Sequence, residues 1–468
     1  MVDLSRRALL GLAGLGVLGA GAAWPRLTAS DIEGRRDDVL TVAILGTAQD
    51  AAARTALVDA FRAEHPDIPV RIQAVQGQDW TQFFTKILTM VAAGTPPDVC
   101  AVATEGAQLF ADRLAAPLDD YVARDADEMA EYFTDVHPAL VESFMYQGSL
   151  FMLPGDFNAA NVYYNASALE RSGLSRPAED WTTDDFLAVA RAMREGADGT
   201  GAFRPYFWTN RLWGGVVPWL YANGTSFLTE EKAPGGGWLW DRFYAGDPAA
   251  AGRGGGFSWT APNAEDPRVV ETFDYLRDLT AEGLGSSPAQ GGGNELVARF
   301  AAGSIGMTPA GGFWVQGLAE AGMGEDDFDV TFFPRGVGQD TQRHQFGAAG
   351  YALLETSQRK DEAWEWIKFC ASREGMQLSY PTPTTTPARR SLVTADFYEG
   401  LGPQHWQVFY DTLDRFPGTA PIPAPPQQAA VEQALIKNVL GAVTAPAGGL
   451  PAALSTMQRD LALALGRS

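Results

Sequence analysis

Two cysteines in 468 residues, Cys100 and Cys370, are too few for a disulfide-stapled scaffold or a cysteine-based metal site. Histidine is also scarce. His65, His137, His344 and His405 stand apart, with no HExxH or CxxC spacing, so no metal ligand set can be read from the chain and no cofactor is implied. There is no GxSxG nucleophile elbow, no P-loop and no internal repeat. Positive charge is short as well: 35 Lys and Arg face 57 Asp and Glu, a formal charge of −22. So acidic a surface repels phosphate backbones and anionic lipid, which argues against nucleic-acid and membrane-surface partners. Cys100 lies in a strand-like apolar run (VCAVA) and Cys370 on the apolar face of a helix (AWEWIKFC). Both read as separate buried thiols behaving as small hydrophobes.

The N-terminus carries more information. Arg6 and Arg7 precede an uncharged run from Ala8 to Trp24, with small residues at Ala20 and Ala22 that suit a peptidase. Residues 1–30 read as an export signal of the twin-arginine type, too short to span a bilayer and without a cysteine for lipid attachment. The expected location is periplasmic or otherwise extracytoplasmic. Gly14, Gly16 and Gly19 formally match GxGxxG, but no strand precedes them, so the dinucleotide reading is rejected.

Beyond the signal, periodicity organises the chain. The run VLTVAILG from Val39 reads as a central parallel strand covered on both faces. A helical stretch from Ala51 to Glu64 follows, then an alternating strand at Val70, Ile72 and Ala74. A helix from Trp80 to Ala93 and a strand from Val99 to Ala103 complete the unit. This alternation predicts a doubly wound α/β unit. Trp181 to Arg194 reads as a helix with Thr182 or Thr183 at its N-cap and Asp184 and Asp185 in its first turn. Residues 196–267 are rich in glycine loops and tryptophan, a composition that points to loops carrying function.

Seven segments in order resemble one known family. They are AFRAEHPDIPVRIQ, KILTMVAAGTPPDVCAV, LAAPLDDYV, YQGSLFMLPGDFNAANVYYN, ALERSGLSRPAEDWTTDDFLAVARAM, FAAGSIGMTPAGGFW and HQFGAAGYALLETSQRKDEAWEWIKFCAS. The chain is similar to the extracellular solute-binding proteins of carbohydrate ABC importers, the group containing maltodextrin- and glycerol-phosphate-binding proteins. That resemblance implies an α/β fold of two lobes with three crossings, closing by hinge bending on a sugar or polyol. It implies lobe one at 38–156 plus 308–345 and lobe two at 157–307 plus 346–468, and it puts the two cysteines in different lobes. It implies a monomer that hands its ligand to membrane permease subunits and performs no chemistry.

A sugar needs aromatic faces for its C–H surfaces and planar polar groups for its hydroxyls. Carried over by position, the resemblance places Thr104 and Glu105 after the third strand facing the cleft, with Trp80 as a lid aromatic. Asp156 and Asn158 fall at the first crossing, Gly311, Gly312 and Trp314 at the second, and Phe346 and Gly347 at the third. Trp208, Trp213 and Trp240 are the loop tryptophans expected to reach the cleft. Arg389 and Arg390 would bind an anionic ligand group if they reached it, which keeps sugar acids and glycerol phosphate esters open. Metal, polyamine or other cationic solutes have no clustered ligands to recommend them. An exported glycoside hydrolase is the rival reading. The adjacent pairs Asp119/Asp120, Asp184/Asp185 and Asp326/Asp327 diverge along their backbones and cannot face each other across a scissile bond.

Overall fold

A computed structural model describes residues 38–197, 203–286 and 293–466 of the chain. The proposed export signal lies outside them. Leu40–Leu45 is buried on both faces and pairs in parallel with Val70–Val75 on one side and Val99–Ala103 on the other, in keeping with its near-continuous apolar run. Gln345–Leu353 joins antiparallel to Val99–Ala103, and Met152–Ala159 pairs antiparallel beyond it. The first sheet therefore runs Thr386–Pro387, Met152–Ala159, Gln345–Leu353, Val99–Ala103, Leu40–Leu45, Val70–Val75, with Ala420–Pro421 against the start of Gln345–Leu353. The second runs Phe328–Thr331, Asn161–Asn165, Ile305–Ala310, Arg204–Tyr206. Only its last pair is parallel, so it departs from the doubly wound pattern.

The chain passes from the first sheet to the second at Ala160, whose N–H bonds to the Gln345 carbonyl at 2.8 Å. Sequence reading puts 308–345 in the first lobe and 346–468 in the second; strand pairing reverses this where it matters. Thr308 and Pro309 pair with Tyr163 and Val162 in the second sheet, whereas Phe346–Leu353 lies in the first. Both segments are apolar strands, and a period of two says which face is buried, not which sheet a strand joins. The helices Lys360–Ala371 and Arg373–Ser379 follow Gln345–Leu353 into the first core, where Trp366 meets Phe61 edge-on at 5.1 Å. Gln428–Val443 and Leu450–Ala464 pack into the second core. Cys100 and Cys370 share the first core rather than lying apart; both thiols are buried and free, and burial pushes both upward.

The Trp181 helix forms as read. It spans Thr183–Glu195, and Thr182 and Asp185 close a reciprocal capping box. The Ala51–Glu64 helix instead breaks at Ala53 and Arg54 into Ala48–Ala52 and Thr55–Glu64. The glycine-rich stretch is less open than its composition suggests. The hairpin of Leu228–Lys232 and Phe257–Pro262 carries a segment that docks on the first core through Leu239, Trp240 and Tyr244. Gly255 touches Gly148 so closely that a Cβ on it would lie 2.5 Å from the Gly148 Cα. Here glycine allows backbone contact rather than looseness.

Candidate ligand-binding cleft

Glu105 opens the helix Thr104–Arg113 directly after the parallel strand Val99–Ala103. This is the carboxyl end of a strand, where open α/β sheets place their ligands. Asp156 and Asn158 alternate along Met152–Ala159, so both face the same side, and Gly347 pairs with Asn158 on the neighbouring strand. Trp80 begins the helix Trp80–Ala92, whose N-cap Asp79 accepts the Gln82 N–H at 2.8 Å. The second sheet supplies the opposite wall. Arg211 and Trp213 stand on a non-helical turn with Gly214 at φ +65°, and Phe313 follows the strand Ile305–Ala310. The buried side chain of Gln345 holds that turn in place, accepting the Gly214 N–H at 3.2 Å and donating to the Leu212 carbonyl at 3.4 Å.

Together with Thr384 and Thr385 these residues enclose a cleft of about 310 Å³. Trp213 meets Phe313 edge-on at 4.9 Å, and the Arg211 guanidinium lies 5.5 Å from the Trp213 ring. A Cβ on Gly347 would sit 3.0 Å from the Trp213 indole, so glycine there lets the tryptophan seat against the strand. Burial raises the Glu105 carboxyl to about 7, with Glu432 adding to the rise and hydrogen bonds from its own backbone N–H and from Thr104, together with the Arg211 charge, opposing it. Burial likewise raises Asp156 to about 6, against bonds from Thr385 and the Ala349 N–H, the latter 2.9 Å long. The Nε of Arg211 is sealed from solvent with no hydrogen-bond partner. At one edge Thr81, from the Trp80 helix, donates to Glu432 on the helix Gln428–Val443 at 2.7 Å, joining the two halves.

Of the residues expected here, Trp80, Glu105, Asp156, Asn158, Trp213 and Gly347 line the cleft. Thr104 sits behind Gly347, its hydroxyl accepting the Ala348 N–H at 3.3 Å. Gly311 and Gly312 serve the approach of the two halves: a Cβ would lie 2.7 Å from the Asn158 Cβ and 2.3 Å from the Thr386 hydroxyl, respectively. Four expectations are corrected. Trp208 is buried in the second core, Trp240 in the first, where its Nε1 donates to Gly254 O at 3.0 Å. Trp314 packs edge-on to Tyr163 and Phe300, and Phe346 is fully buried. Arg389 also stays away from the cleft, buried against Glu131 and Asp135, and Arg390 pairs with Asp414.

Arg211, Phe313, Thr384 and Thr385 were not read from the sequence. Arg211 lies two residues before Trp213 at the start of the same turn, so its nearness to a candidate residue was the only signal available. Phe313 differs from Trp314 by one position in a tight turn that sequence cannot phase.

Two α/β sheets facing each other across a polar and aromatic cleft define a periplasmic-binding-protein fold. The chain belongs to the bacterial extracellular solute-binding protein family, whose profile matches residues 46–377. Its fold is similar to that of an ABC substrate-binding protein of Listeria monocytogenes solved with cycloalternan: 18% identity, 92% of this chain and 99% of that one, TM-score 0.72. MalE3 of T. maritima, solved with maltose, is also 18% identical over 90% of this chain and 98% of that one, TM-score 0.67. The GacH receptor of Streptomyces glaucescens, solved unliganded and with acarbose, matches at 18% identity over 91% and 98%, TM-score 0.67.

Proposed function

We propose that this protein is the substrate-binding subunit of an ABC importer, exported to the extracytoplasmic side, which captures a sugar in the interlobe cleft and delivers it to a membrane permease. The observation that carries this reading is the pairing of aromatic faces, Trp213 and Trp80, with the planar polar groups of Glu105, Asp156 and Arg211 in one cleft. A pyranose presents apolar C–H faces and a rim of hydroxyls, and this wall offers surfaces for the first and donors and acceptors for the second. The polar groups come from both halves, so the full contact set exists only when the halves are closed, and ligand shifts the population toward that form. The mechanism has no chemical step.

A thermal-shift screen of the protein against neutral sugars, polyols, sugar acids and glycerol phosphate esters tests it. Ligand at 100 times its dissociation constant adds about 2.7 kcal/mol of stability, readily seen as a raised Tm. A shift with a carbohydrate, recovered unchanged after incubation, supports the reading. A response confined to metals or amines, or turnover of the sugar, overturns it.

A further inference from the structure

Trp213 owes its place in the cleft wall to its backbone. Within the turn Leu212–Val216 it keeps an extended conformation, φ −75° and ψ +125°, before Gly214 turns left-handed. The two peptide groups that flank it are held by one side chain. Gln345 accepts the Gly214 N–H at 3.2 Å and donates to the Leu212 carbonyl at 3.4 Å. A planar amide bound to the peptide on either side of a residue fixes its two soft dihedrals, and with them the direction of its Cα–Cβ bond. Gln345 is fully buried, and its own carbonyl accepts the Ala160 N–H at 2.8 Å, where the chain passes between the sheets. Two residues along the same strand, Gly347 lies against the Trp213 indole.

We propose that Gln345 is a positioning residue for ligand capture, aiming Trp213 into the cleft and tying that aim to the angle between the two halves; the inference rests on the sugar-binding reading above. Gln345 does not line the cleft, so it acts through Trp213. The turn it holds belongs to the second half: Trp213 packs on the second core, and the Asn210 side chain donates to the Ile436 carbonyl at 2.8 Å. Gln345 itself begins a strand of the first sheet. Hinge rotation therefore moves the amide against the turn. Both bonds are already long, and a further shift of about 0.5 Å takes them past bonding distance. Trp213 is then aimed alongside Glu105 and Asp156 in the closed form and released in the open one, which gives the closed form a ligand contact that the open form lacks.

The test uses the full chain labelled with 5-fluorotryptophan, and a panel of glucose, galactose, xylose, sorbitol and maltose. The Trp213 fluorine signal is identified by its loss in Trp213→Phe. Gln345→Met keeps the volume and removes both bonds. In ligand-free protein it is expected to shift or broaden the Trp213 signal while those of Trp364 and Trp366, in the first core, stay in place. It is expected to weaken the best-binding panel member about 5- to 30-fold, the loss of two buried hydrogen bonds. In a Trp213→Ala background the same substitution is expected to change affinity less than about 2-fold, because the residue it acts through is gone. Gln345→Asn, an amide one methylene short, carries the same comparison if Gln345→Met does not fold. An unmoved Trp213 signal, an unchanged affinity, or equal losses in both backgrounds overturns the inference and leaves the sugar reading standing. Binding of none of the panel overturns the sugar reading, and the ligand-free spectrum then decides whether Gln345 aims Trp213.

Discussion

Asn158 Oδ1 accepts the backbone N–H of Phe313 at 3.1 Å, while its Nδ2 donates to the Thr385 hydroxyl at 2.8 Å. A residue of the first sheet thereby fixes the turn that presents Phe313 from the second, so Asn158 is a brace of the cleft more than a reader of ligand. Asn158→Ala strands the Phe313 N–H and is expected to cost about 1–3 kcal/mol. Asn158→Asp keeps the acceptor and is expected to recover most of that loss. Chemical denaturation of the two variants decides the point.

The tryptophans separate by role. Trp213→Ala removes a cleft wall and is expected to weaken ligand about 10- to 100-fold with little change in Tm. Trp208→Ala and Trp314→Ala empty core sites and are expected to cost about 3–5 kcal/mol. Titration and melting on the same samples distinguish the two patterns.

Glu105 makes stability depend on pH with a definite sign. Its folded-state pKa, about 7, lies above its ordinary value of 4.5, so its contribution is full below about 4.5 and lost as pH rises through 7. Glu105→Gln is therefore expected to melt like the wild type at pH 4.5 and above it at pH 8, without ligand. Ligand hydroxyls donating to the ionised carboxylate reverse the preference, so wild-type affinity rises over the same interval. Melting curves and titrations at pH 4.5, 6 and 8 check both halves.

Glu142 is fully buried and bonded to Arg253 at 2.8 Å, Lys232 at 2.7 Å and the Gly254 N–H at 2.9 Å. It pins the hairpin of the second half to the first. Glu142→Ala leaves Arg253 unpaired, and breaking such a buried pair is expected to cost about 3–5 kcal/mol. Faster proteolysis within 232–256 than in the wild type is the local readout.

Much of the first sheet was legible because its strands carry their burial in the sequence: Leu40–Leu45 is apolar but for Thr41 and buried but for its last residue. Val70–Val75 alternates at its start, and Thr182 with Asp185 spelled its own helix cap. The allocation of Ile305–Ala310 and Gln345–Leu353 was not legible, because sheet membership is a long-range property. The same holds in the cleft. Trp208 and Trp213 stand five residues apart in one run, and only the turn at Gly214, clamped by Gln345, sends the second outward. Trp240 sits among glycines that look like a free loop, yet those glycines let Gly255 meet Gly148 and bury the ring.

The most direct test is a crystal structure of the protein with a sugar selected by the thermal-shift screen. The account predicts the ring stacked on Trp213, with hydroxyls bonded to Glu105 and Asp156 and both halves in contact with the ligand. A sugar bound outside this cleft, or held there without touching Trp213, Glu105 or Asp156, would contradict it.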